Sequence, residues 1–86
     1  MNQVAFLAAA KEYFQNLGFA VKSMGGDEFE ARSISGERCN VFVWESREVR
    51  ISSAKFASDL AKIAGVLSLG TKVPGGVIAS YTFFRI

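Results

Sequence analysis

Histidine is absent from this sequence. Its absence removes the Ser/His and Cys/His nucleophile pairs and every metal site that needs an imidazole. Any chemistry must therefore run on carboxylates, Lys, Arg, Tyr or Ser. There is one cysteine, Cys39, so no intrachain disulfide can form. It lies in an apolar run, where a buried free thiol in a reducing compartment is the expectation. A strong excess of one charge is also missing: ten basic residues face eight acidic ones, for a formal charge of +2. That is too little for the field of a dedicated phosphate-backbone binder, so nucleic acid is neither required nor excluded. Long apolar runs are missing too. The opening MNQVAFLAAAKEYF has no basic n-region and is broken by Lys11 and Glu12, which fits neither a signal peptide nor a membrane span. A cytoplasmic protein is expected, with no membrane partner.

What remains is rich in core formers. Half of the 86 residues are hydrophobic and eight are Phe, which argues against disorder. A chain this short has room for one domain, residues 1–86, burying only a little over ~60% of its unfolded surface. No repeat, low-complexity tract or linker interrupts it.

From Gln3 to Leu17, Leu7, Ala10, Phe14 and Leu17 recur at helical spacing, flanked by Phe6 and Tyr13, and Gly18 follows where a left-handed cap belongs. Phe19 to Met24 is β-prone, and Gly25-Gly26 reverses the chain into Asp27 to Ile34, where Phe29 and Ala31 alternate with charged residues. Ser35-Gly36-Glu37 turns into Arg38 to Glu45, whose nearly continuous apolar run suits a central strand covered on both faces. Ser52 or Ser53 can cap a second helix carrying Phe56, Leu60, Ile63, Ala64 and Leu67, with its stop at Gly65 or Gly70. After Pro74-Gly75-Gly76, Val77 to Phe84 reads as a strand reached by a parallel crossover. The expected fold is an α/β (α+β) domain, with a mixed four-stranded sheet flanked by two helices.

Matching apolar faces in the second hairpin favours a register that sets Phe29 against Val43, Ala31 against Val41 and Ser33 against Cys39. In that register Asp27 stands across from Glu45, and Arg47 shares their side if the strand continues. Two opposed carboxylates suit Mg²⁺ or Mn²⁺, ions held by one or two carboxylates plus water.

The order helix, three-stranded meander, helix, strand resembles the core of the PD-(D/E)XK restriction-endonuclease-like nucleases, including the Mrr-type enzymes and archaeal Holliday-junction resolvases. The resemblance spans almost the whole chain. In GGDEFEA and VWESRE, Asp27, Glu45 and Arg47 match that family's catalytic positions, and KFASDLAKIAG with GGVIAS resembles its second helix and last strand. It implies metal at Asp27 and Glu45. The family's lysine is replaced by Arg47, which cannot be deprotonated, and the first helix has no acidic residue on its inward stripe. The expectation is a degenerate nuclease-like domain that binds nucleic acid or a protein partner without efficient cleavage. An active Mg- or Mn-dependent endonuclease is one alternative. A homodimeric module is another, joined through the C-terminal strand, where Phe83 and Phe84 point to opposite faces.

Arg47, Arg50 and Lys55 are the candidate nucleic-acid contacts, although Glu48 and Asp59 among them also suit a plain solvated surface. Phe42 and Trp44 share a face with Glu28 and Glu30. Such a pair can stack a base, fill a partner's pocket or pack under a helix, and packing under a helix is the expectation taken forward.

Overall fold

The computed structural model describes residues 2–44, 46–72 and 81–86. Helix α1 spans Gln3–Asn16, with the Asn2 side chain accepting the Ala5 amide at 2.7 Å, the cap that satisfies an otherwise orphaned N–H. Gly18 follows at φ 89°. Strands β1 (Ala20–Ser23), β2 (Glu28–Arg32), β3 (Arg38–Val43) and β4 (Glu48–Ile51) then run as an antiparallel meander. A 3₁₀ turn, Ala54–Phe56, leads into α2, Ala57–Ala64, which ends at Gly65 in the left-handed region at φ 75°. Strands β5 (Gly70–Lys72) and β6 (Tyr81–Arg85) complete the sheet.

The result is an α+β domain with six strands in the order β1-β2-β3-β4-β6-β5, and every described pairing is antiparallel. This corrects the four-stranded mixed sheet and the parallel crossover. The segment after Trp44 turns back as β4, and β6 pairs antiparallel with it. The strand expected over Val77 to Phe84 is described only from Tyr81, and Pro74-Gly75-Gly76 lies outside the described residues.

Strand alternation sorts residues onto two faces. Phe29, Ala31, Cys39, Val41, Val43, Val49, Ile51 and Phe84 are buried together with Phe6, Leu7, Ala10 and Phe14 of α1 and with Phe56, Ala57, Leu60 and Ala61. Both helices thus contribute to one core on one side of the sheet. Leu17, expected on the inward stripe, is 51% exposed because α1 has ended before it, and Leu67 lies beyond α2, fully exposed. At the surface, Tyr13 donates its hydroxyl hydrogen to Asp59 at 2.8 Å, tying α1 to α2.

Burial, chiefly, pushes the Cys39 thiol from 9.0 up to about 11. Burial, reinforced by the hydrogen bond to Asp59, takes the Tyr13 hydroxyl to about 12. Folding holds these protons at pH values where the unfolded chain releases them, so their contribution is complete below about pH 9 and is lost as the pH rises through the folded values. The melting temperature should fall between pH 9 and 11, with a shallower slope in Cys39→Ala. An aromatic disulfide reagent at pH 8 should leave native Cys39 unmodified and react after denaturation; immediate reaction of the native thiol would contradict this packing.

Candidate functional site on the open sheet face

The nuclease-like expectation depended on register, and the register is different. Phe29 pairs with Val41 and Ala31 with Cys39, and the Asp27 carbonyl accepts the Val43 amide at 2.9 Å. Asp27 therefore stands across from Val43, two residues from the expected partner. Glu45 lies outside the described residues. A shift of two preserves every side chain's face, so apolar matching cannot distinguish the two registers. The turn decides. Ser33 and Glu37 close a three-residue loop whose last member, Gly36, has φ 91°, and Ser33 Oγ also accepts the Glu37 amide at 3.0 Å. A left-handed residue at the end of a three-residue loop is a favoured hairpin geometry, and Gly36 fits that position only in the observed register.

The same arithmetic relocates Arg47. Trp44 donates its amide to the Glu48 carbonyl at 2.9 Å, and the Arg47 amide reaches the Trp44 carbonyl at 2.8 Å. Arg47 is thus a turn residue at φ 67°, and the strand on which it was to join Asp27 does not continue to it. Lys55 sits in the 3₁₀ turn on the helix side, with its ammonium 2.9 Å from Glu37. Of the three expected nucleic-acid contacts, Arg50 stands on a strand of the open face. No cluster of three or more Cys, Asp or Glu with metal-holding geometry occurs among the described residues, and none of their helices is long and apolar enough to cross a membrane.

The face away from the helices gathers aromatic and charged side chains instead. Glu28, Phe42, Arg50 and Phe83 are successive partners in one row across β2, β3, β4 and β6. Glu28, Asn40, Phe42, Trp44, Arg50, Ser52 and Tyr81 line a hollow of about 340 Å³, within the range that takes a small ligand. Phe42 and Trp44 meet edge to face at 5.0 Å. The Arg50 guanidinium carbon lies 4.1 Å from the Trp44 ring centre and 5.3 Å from that of Tyr81. Its Nε donates to Glu48 at 2.7 Å and its Nη1 to the Tyr81 hydroxyl at 2.8 Å. The expectation that Phe42 and Trp44 pack beneath a helix is corrected: neither described helix lies on their face, and Trp44 is 43% exposed. Tyr81 and Arg50 become part of the site only because β4 and β6 are neighbours, a pairing that no sequence pattern announces.

Two further arginines adjoin this region. Arg32 and Arg38 are direct partners across β2 and β3 on the same face, both exposed. Glu30 lies 3.2 Å from Arg32, while Arg38 makes no ion pair among the described residues. No family model, curated protein or solved structure matches the chain, so its function must be argued from this geometry.

Arg47→Gly tests the turn. Glycine relieves the left-handed backbone, which disfavours other residues by about 1–2 kcal/mol, but it adds freedom to the unfolded chain. Arg47→Ala and Arg47→Gly both remove the side chain's contacts, so in denaturant unfolding Arg47→Gly should be about 1 kcal/mol more stable than Arg47→Ala. An Arg47→Gly variant no more stable than Arg47→Ala would contradict the left-handed turn.

Proposed function

We propose that this chain is a non-catalytic binding module that takes single-stranded nucleic acid on the open sheet face. The observation that carries the reading is the Trp44–Arg50–Tyr81 cluster, in which aromatic and guanidinium planes lie together in an uncovered hollow. Unpaired bases stack on such planes, whereas paired bases keep their π-faces inside the helix. Lys22, Arg32, Arg38 and Arg85 occupy positions of the same strand face around the cluster. Like charges directly opposed across strands are unfavourable alone, and a phosphate beside Arg32 and Arg38 would relieve that repulsion. Glu28, Glu30 and Glu48 also lie on this face, so stacking rather than bulk electrostatics carries the affinity.

Neither alternative from the sequence gains support of this kind. A metal-dependent endonuclease needs Asp27 and Glu45 together, and the register that aligned them is displaced by two residues. Self-association through an exposed C-terminal strand has lost its motive. Strand β6 lies between β4 and β5, Phe84 is buried, and Phe83 lies so close over Gly70 that a Cβ added there would stand 2.5 Å from its ring.

Trp44 is the sole tryptophan and reports on its own surroundings. Its fluorescence should be quenched by a mixed-sequence twelve-nucleotide single strand at low salt and little affected by the matching duplex. In anisotropy titrations with labelled single strand, Trp44→Ala and Arg50→Ala should each weaken binding roughly tenfold, the order of one lost stacking contact. Absence of binding at tens of micromolar protein sinks the proposal. Strand cleavage with Mn²⁺ that disappears in Glu45→Ala would replace it with the endonuclease reading.

A further inference from the structure

Two opposite charges line the hollow, yet they do not pair with each other. Arg50 is taken up by Glu48 and Tyr81. Among the described residues the Glu28 side chain makes no ion pair and one hydrogen bond, a long one, with Asn40 Nδ2 donating to its Oε2 at 3.5 Å. Glu28 is also the direct cross-strand partner of Phe42, which puts this carboxylate at the border of the aromatic platform. A half-buried carboxylate retains strong acceptor capacity that one weak bond does not use. The hollow therefore has a stacking surface and, beside it, an acceptor pair for the edge of whatever stacks there.

Resting on the single-strand reading above, we infer that this site selects guanine and that Glu28 reads it. Guanine is the base that offers two N–H donors side by side on its Watson–Crick edge, N1–H and the 2-amino group. Those donors match the two oxygens of a carboxylate in a parallel, charge-assisted pair. Adenine and cytosine each place an amino donor beside a ring nitrogen whose lone pair would face the carboxylate. Uracil and thymine flank their one ring N–H with two carbonyl oxygens. Each of these bases thus sets an acceptor against Glu28, while all four retain a π-face for Trp44 and Arg50. The division of labour is that stacking supplies affinity without choice and Glu28 supplies choice.

The test uses the whole chain and four labelled decathymidine strands in which one central position is G, A, C or T, with inosine as a fifth substitution. The G strand should bind about tenfold more tightly than the A, C and T strands, the order expected of one bidentate base contact. Inosine, lacking the 2-amino group, should lose most of that advantage. Glu28→Gln, with unchanged melting temperature and circular dichroism, should reduce the preference for G over the A, C and T strands to less than threefold. Equal affinity for all bases would overturn guanine selection while leaving the stacking reading intact. A preference for G that survives Glu28→Gln would overturn the role of Glu28. Failure of every strand to bind would overturn the single-strand reading and this inference with it.

Discussion

Phe14 closes the interior of this small domain. Its ring centre lies 5.0–6.0 Å from those of Tyr13, Phe19, Phe29 and Phe56, which come from α1, the turn after it, β2 and the 3₁₀ turn before α2. Aromatic packing of this kind joins large apolar areas with favourable edge-to-face geometry, and it gathers both helices on one side of the sheet. The consequence reaches across the sheet. Both described helices are committed to one face, so among the described residues those that alternate away from Phe14's side have no helix over them. The open surface follows from how the core is closed.

Much of this was legible in the sequence, and the limits have physical causes. Helix α1 announces itself through its apolar spacing and Gly18. The polar face of β2 follows from the alternation of Phe29 and Ala31 with Glu28, Glu30 and Arg32. The register of β2 against β3 was missed because faces repeat every two residues, leaving the loop as arbiter, and Gly36 was the available signal. Strand β4 was missed because EVRI is four residues long and, without its partners, reads as an extension of the strand before it. Strand β5, GTK, carries no pattern at all. It is defined by pairing with β6, a non-local contact that appears only when the sheet is assembled.

The candidate site failed to appear for a related reason. Phe42 and Trp44 sit among Val41 and Val43, and such a run reads as a strand buried on both sides. Position 40 is the contrary sign. Asn40 shares the face of Phe42 and sits between Glu28, whose Oε2 accepts from Asn40 Nδ2 at 3.5 Å, and Ser52, whose Oγ accepts the Asn40 amide at 2.8 Å. A central strand roofed by a helix would not place an amide side chain there so readily, since a buried polar group needs a full set of partners. Asn40 thus distinguishes an aromatic platform from an aromatic core, although its meaning depends on knowing which residues are its cross-strand neighbours.

The same neighbours explain why Arg50 suits a platform better than a flexible basic side chain would. A lysine on an exposed strand keeps its rotamer freedom and surrenders it on binding, which lowers affinity. Arg50 has already surrendered it: Trp44 and Tyr81 fix the position of the guanidinium, and Glu48 holds Nε. These contacts also satisfy the cation within the sheet, so its charge is partly neutralised before any ligand arrives. On the proposed single-strand reading, a surface built this way gives up long-range attraction for phosphate and gains a preformed plane. The near balance of the whole chain, +2 in 86 residues, is consistent with that exchange, because a stacking platform needs geometry more than it needs field.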